Sequence, residues 1–172
     1  HNTDETAHDD IRQSINTLDA EVVAHKADIV SDVDGVHGHK TESGSWTPTI
    51  EGETVAGVNT YATRVGTYRR FGNLVYATGA IKLSAKDDNM SGSLLIGGLP
   101  FAAITATYSA LNIAFLEYVS ITSPYTQLIG HIINSTKISL YLIGNNVASI
   151  GLVPTHIAVN TLIWFSIVYP IS

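Results

Sequence analysis

Two histidines separated by one glycine, His37 and His39, are the residues whose type and spacing best suit metal chemistry. In an extended segment, residues two apart point to the same side of the chain. Three chains meeting here would bring six imidazoles together, which fits an octahedral first-row metal such as Fe²⁺ or another divalent ion on a threefold axis. One His-x-His pair is a short signal, so two solvated histidines in a polar link are the alternative.

A set of catalytic residues is not predicted. A glycosidase needs two carboxylates that face one bond, whereas Glu51 and Glu53 flank a turn and the acidic pair at 87–88 lies in another turn. His131 and His156 could each pair with a serine, but the sequence has no Gly-x-Ser-x-Gly elbow. The chain has no cysteine, so it has neither a thiol nucleophile nor a disulfide. We therefore expect no enzyme.

Exposed aromatic rings and side-chain amides are groups that proteins use to bind sugars. The candidate receptor-binding residues are Tyr108, Tyr125, Asn145 and Asn146, with Tyr118, Tyr141 and Tyr169 as further candidates for stacking. Tyrosines in strands are more often half-buried packing residues. The two asparagines follow a glycine, so a plain turn is the alternative for them.

The element that would position the two histidines is a heptad seam within a helix predicted over residues 1–36. Apolar residues recur there in alternating steps of four and three, which is the repeat of a coiled coil. The predicted axis residues are Ile11, Ile15, Leu18, Val22, His25 and Ile29. Isoleucine at two successive core positions favours three or more strands, and a hydrated His25 layer would fix the register, with an ion site as the alternative.

Charge is distributed unevenly along the sequence. Residues 1–53 carry 12 acidic and 3 basic side chains, whereas residues 91–172 carry only Glu117 and Lys137. A folded domain normally has charges on about a quarter of its residues, so burial against other subunits is the simplest explanation. The net charge of −6 argues against binding to nucleic acid, and no apolar run is long enough to insert in a membrane.

Residues 46–172 are predicted to be β structure throughout, after a polar link at 37–45. Turn residues recur at short intervals, and the runs between them are rich in β-branched and aromatic residues. Breaks are predicted at glycines such as Gly66, and hairpin turns at 72–73 and 134–137. We expect a mainly β fold, in which a trimeric coiled-coil helix precedes an antiparallel, jelly-roll-like β-sandwich.

The last predicted strand, 161–169, is apolar on both faces. Trp164 and Val168 lie on one face, and Phe165 and Tyr169 on the other. We expect this strand to be buried on one side within the sandwich and on the other side against a neighbouring subunit.

A string of spaced motifs resembles the C-terminal β domain of tailed-phage fibre, tailspike and appendage proteins. The motifs are Gly44-Ser-Trp-Thr-Pro-Thr-Ile50, Tyr61, Gly66-Thr-Tyr-Arg-Arg-Phe-Gly-Asn-Leu-Val-Tyr76, Ile81-Lys-Leu-Ser-Ala85 and Ile96-Gly-Gly-Leu-Pro-Phe101. The segment from Ala7 to Arg12 also looks like short helices of phage tail proteins. The resemblance covers most of residues 7–101, and residues 102–172 match only in general β character.

The resemblance implies a homotrimer on the virion that binds a host polysaccharide or wall polymer. It also implies an alternative, a chaperone domain that drives trimer assembly and releases itself; Ser31-Asp32 is the type of bond that such domains cut. ATP binding is implied for appendage relatives, and related long fibres hold iron with His-x-His pairs from three chains, as His37 and His39 could.

Overall fold

The computed structural model of this chain describes residues 2–30, 41–104, 109–134 and 136–172. Within them the chain forms one long helix, ten strands and a short 3-10 turn. The bounds are α1 Asn2–Val30, β1 Thr41–Trp46, β2 Thr49–Gly52, β3 Thr60–Phe71, β4 Leu74–Ala85, β5 Leu94–Gly97, β6 Leu111–Val119, β7 Tyr125–Asn134, β8 Lys137–Gly144, β9 Ile150–Gly151, the 3-10 turn Pro154–His156 and β10 Ile157–Pro170.

The chain divides into two compact units, a helical unit at His1–Glu42 and a β domain at Ser43–Ser172. The helix contains the predicted seam, and the predicted helix end beyond Val30 lies outside the described residues. No helix in the described part of the chain is long and apolar enough to cross a membrane. The predicted fold class, a mainly β protein with a β-sandwich after an N-terminal helix, is confirmed.

Two sheets form the sandwich. The first sheet has the strand order β1-β3-β4-β10-β6, and the second sheet has the order β2-β5-β8-β7, with β9 paired to β8. Every strand pairing whose register is described is antiparallel. The C-terminal strand β10 lies between β4 and β6, so it is an interior strand of the first sheet.

The core lies between the two sheets, because alternate residues of each strand point to the same side. From Ile163 to Tyr169 in β10, the buried residues are Ile163, Phe165, Ile167 and Tyr169, and the residues between them are partly or largely exposed. From the second sheet, Leu140 and other fully buried aliphatic residues pack into the same cluster.

Two glycines paired across the first sheet make room for two large rings. Gly66 lies opposite Gly79 in the β3–β4 register. A Cβ added to Gly66 would lie 2.3 Å from Trp46 Nε1, and one added to Gly79 would lie 2.3 Å from Phe165 Cζ. The two rings pack edge to face with centroids 6.0 Å apart. The predicted break at Gly66 is therefore wrong, because this glycine permits a close tertiary contact within one continuous strand.

The two predicted hairpins are confirmed: Phe71 pairs with Leu74, and Asn134 with Lys137. The first strand begins at Thr41, inside the segment predicted to be a link. This strand is rich in serine and glycine, and Gly44 lies against the ring of Tyr68, so packing rather than strand propensity explains it.

Candidate functional site

The heptad seam of α1 is open to solvent in the single chain. Ile11, Ile15, Leu18 and Val22 are 56%, 52%, 59% and 48% exposed. His25 is partly buried, and the side chain of Ile29 lies outside the described part. A stripe of half-exposed branched residues at heptad spacing is a surface suited to another helix of the same kind.

The predicted metal ligands His37 and His39 lie outside the described residues, as does the Ser31-Asp32 bond. Among the residues that are described, no three histidine, aspartate or glutamate side chains converge as a metal site would require. Iron binding at the histidine pair stays a prediction from the sequence.

A second apolar surface lies on the side of the first sheet that faces away from the core. We call it the outer face, and it is centred on Trp164, Val168, Tyr76 and Phe115. These side chains are 49%, 47%, 44% and 43% exposed. The register places Val168 opposite Tyr76, and Trp164 opposite Phe115, whose ring centroid is 5.3 Å away.

The outer face continues onto the β3–β4 hairpin, where Leu74 and Phe71 are paired and about half exposed. Toward the other end of the sheet it becomes polar, since Lys82 and Glu117 lie on either side of Leu162. One side of the predicted C-terminal strand is thus buried in the sandwich, and its other side is an apolar surface that the chain itself leaves open.

The predicted receptor-binding residues fall into different environments. Tyr108 lies outside the described residues. Tyr125 is partly buried and packs against the core, and Asn145 and Asn146 are exposed in the turn after β8, where Asn146 has a φ of 58°. Because Tyr125 pairs with Gly144, these three residues lie at the same end of the sandwich.

The other candidate tyrosines also lie in different environments. Tyr169 is fully buried, so the expectation that it could stack on a sugar is wrong, and burial raises its pKa to about 12. The ring of Tyr141 stacks on His131 with centroids 5.2 Å apart. Tyr118 is 65% exposed, at a distorted point where β6 meets β10.

The carboxylates considered for catalysis have structural contacts. Glu51 forms an ion pair with Lys137 across the second sheet. Asp87 accepts hydrogen bonds from the backbone N–H groups of Asn89, at 2.9 Å, and Val58, at 2.7 Å. Those two bonds hold the pKa of Asp87 below its ordinary value, in that order of importance. Asp87 therefore joins two loops.

Sequence reasoning did not single out the groups that surround Tyr118: Ser120, Thr155, Asn160 and Thr161. Asn160 has a φ of 70°, a conformation in which asparagine is enriched, so it carried a weak local signal. Thr161 is fully buried although it is polar, which only the packing of β10 against β6 explains.

The fold resembles part of a known phage protein. The structure matches the crystal structure of the Dettilon tailspike protein with a TM-score of 0.65 and 18% sequence identity. The match covers 76% of this chain and 24% of that chain, so this chain spans about a quarter of the tailspike's length. No family model matches the sequence, and no curated protein matches it. At this identity the likeness establishes the fold.

Proposed function

We propose that this chain is a homotrimeric domain of a tailed-phage appendage, a fibre or a tailspike, and that its β domain attaches the virion to a host-surface polysaccharide. Its partners are two further copies of itself and the host polymer. The proposal assigns the chain no catalytic step.

The observation that carries the proposal is the outer face of the first sheet. It is apolar over three adjacent strands, through Tyr76, Val168, Trp164 and Phe115. Complete burial of a side chain of this type stabilises by about 1.5–3 kcal/mol, so a surface of several such groups favours association. Lys82 and Glu117 lie at one end of this surface and Arg69 pairs with Tyr76 on its β3 side, so its apolar centre suits an equally apolar surface on a second copy.

The heptad seam of α1 supports an assembly of three chains rather than two. Ile11 and Ile15 occupy successive core positions, and this pair favours three or more strands over two. The exposure of Leu18 and Val22 within one chain agrees with a seam that other copies cover. Two separate surfaces of one chain are therefore open to contact with further copies.

The structural similarity to a tailspike supports the proposal that this assembly is part of a virion. The scarcity of charge in residues 91–172 agrees with a domain that hides part of its surface against copies of itself. Tyr118, Asn145 and Asn146 are exposed at one end of the sandwich, and they are groups of the kind that bind polysaccharides.

Sedimentation equilibrium of the whole chain and of Trp164→Glu tests the proposal. Trp164 is half exposed in the single chain, so the variant should fold, but it places a charge in the apolar contact. We expect three times the 18.4 kDa chain mass for the parent and a large shift toward single chains for Trp164→Glu.

Val147→Glu is the matched control, since Val147 is also exposed but lies in the turn after β8, away from the outer face. It should sediment as the parent does. A parent that sediments as a monomer, or a Trp164→Glu trimer as stable as the parent, would contradict the proposal. Mass spectrometry on a chain extended upstream would reveal a self-releasing chaperone as a separated fragment.

A further inference from the structure

The pairing of β6 with β10 is interrupted at one place near the end of the first sheet. Ile157 pairs with Val119, and the next described pair is Leu162 with Glu117. Four residues of β10 therefore lie opposite a single residue of β6, which is Tyr118. Bulges of this sort bend a strand and redirect a side chain, and they are common beside binding sites.

Tyr118 has a φ of 54°, in the left-handed region that bulky residues rarely adopt. This conformation costs about 1–2 kcal/mol. A fully buried hydroxyl holds it in place: Thr161 Oγ1 donates to the carbonyl oxygen of Tyr118 at 2.7 Å and accepts the N–H of Ala158 at 2.9 Å. The packing thus holds an aromatic residue in a costly conformation and leaves its ring 65% exposed.

An open groove of about 280 Å³ lies beside Tyr118, between the end of β6 and the 3-10 turn before β10. Its polar groups come from Ser120, Thr155 and His156, and the rest of its lining is apolar. The N–H of Val153 donates to Nδ1 of His156 at 3.1 Å, so the neutral imidazole carries its proton on Nε2, where it can donate to a ligand. Among the described residues that line the groove there is no lysine, arginine, aspartate or glutamate.

The groove lies at the end of the sandwich opposite the point where the chain enters the β domain. Gly44 of β1 lies against Tyr68, and Trp46 against Gly66, so β1 begins near the β3–β4 turn and runs away from it. Strands β6 and β8 end, and β7 and β10 begin, at the opposite end. The Tyr118 groove therefore shares its end of the domain with the turn at 145–146.

We infer that Tyr118 is the stacking platform of a binding site for a neutral sugar unit. The inference rests on the proposed function and assigns the host contact to particular residues. An exposed phenol ring stacks on the apolar C–H face of a pyranose. Ser120, Thr155 and His156 Nε2 supply hydrogen bonds to its hydroxyls, and the absence of cations among the lining residues disfavours acidic sugars.

The alternative explanation of the left-handed Tyr118 is a purely structural one, and Tyr118→Asn separates the two. Asparagine tolerates the left-handed region better than tyrosine does, so this variant should fold with equal or greater stability. If the ring serves binding, the variant loses the ligand although the fold is intact. If the ring serves the fold, thermal unfolding of the variant occurs at a lower temperature.

The probe is a printed array of neutral oligosaccharides, with hexose, deoxyhexose and N-acetylhexosamine units, and of acidic ones that contain uronic or sialic acid. We expect the parent chain to bind neutral spots. Tyr118→Asn should weaken this binding at least about tenfold, and Tyr118→Phe, which keeps the ring, by less than about threefold. Val58→Ala, which trims a highly exposed side chain outside the groove lining, is the control and should bind as the parent does.

Parent binding that is confined to acidic spots, no parent binding at all, or equal binding by Tyr118→Asn would each overturn the inference. Sedimentation of the same samples separates this result from failure of the proposed function. A trimer with unchanged binding after Tyr118→Asn leaves the trimeric appendage standing and removes only the site. A parent monomer contradicts the proposed function whatever the array shows.

Discussion

The helix and the β domain both carry an apolar surface that one chain leaves open, but only the β domain also has a core of its own. In β10, Phe165 is buried between the sheets while its neighbour Trp164 lies on the outer face. In α1, Ile11, Ile15 and Leu18 have only the open seam. On the proposed assembly, the β domain would fold as a single chain and then assemble, whereas the seam of the helix would be covered by the helices of other copies.

This difference predicts which of the two elements assembles first. Isolated helices are marginal in water, and most of their stability in proteins comes from packing of their apolar side. The seam offers four apolar layers, one histidine layer and a final isoleucine. We therefore expect the β domain to set the trimer and the helix to follow it.

The largest expected effect on folding stability comes from comparing substitutions on the two faces of β10. Phe165→Ala empties a core position against Gly79 and should lower the free energy of unfolding by about 3–5 kcal/mol. Trp164→Ala, one residue away on the outer face, should change it by less than about 1 kcal/mol in dilute single chains. Denaturant unfolding at low protein concentration measures both.

The reverse ranking is expected for assembly, where Trp164→Ala should weaken the trimer more than any variant that only lowers the stability of the core. Equal losses of folding stability from Phe165→Ala and Trp164→Ala in single chains would contradict the distinction between a core side and a contact side of the sheet.

A change of intermediate size in the free energy of unfolding is expected at high pH. Burial raises the pKa of Tyr169 to about 12, whereas a tyrosine in the unfolded chain ionises near pH 10. The folded state thus keeps the proton of the Tyr169 hydroxyl up to a higher pH than the unfolded state does. The stability that this difference provides is complete below pH 10 and is lost as the pH rises from 10 through 12. The difference of two units corresponds to about 3 kcal/mol.

Tyr169→Phe is the control for this effect, because it removes the ionisable group from the core and leaves the ring. Thermal unfolding measured from pH 8 to 12 should show a shallower loss of stability for the variant than for the parent. Identical pH profiles would mean that the Tyr169 hydroxyl reaches solvent in the folded chain.

The smallest effect on overall stability is expected in α1, where two adjacent valines differ in their place on the heptad. Val22 lies on the seam and Val23 beside it, although both are exposed in the single chain. Val22→Asp should lower the melting temperature of the helical circular dichroism signal, and Val23→Asp should leave it nearly unchanged. The β-domain trimer should survive both changes; equal helix loss in the two variants would contradict a seam.

The sequence allowed prediction of features that depend on local residues. The β3–β4 hairpin follows from Gly72 and Asn73, and the two apolar faces of β10 follow from its alternation. Its register with β4 decides which face is inner, because Phe165 must meet Gly79. That choice depends on a contact between distant parts of the chain, so the sequence pattern did not reveal it.

The site was predictable only in outline. Tyr118 belongs to a residue class suited to sugars, but nothing in its neighbours indicates a left-handed backbone. That conformation depends on Thr161, which lies 43 positions away in the chain. Likewise, Gly66 looked like a turn because the ring of Trp46 that requires it lies on another strand.

A single spin label on the outer face tests the central claim most directly. The chain has no cysteine, so Ser166→Cys gives one label per chain, between Trp164 and Val168 on the same side of β10. Double electron–electron resonance on the labelled whole chain should show one short distance between copies and three coupled spins per particle. One spin per particle, or two, would contradict a trimer built on this face.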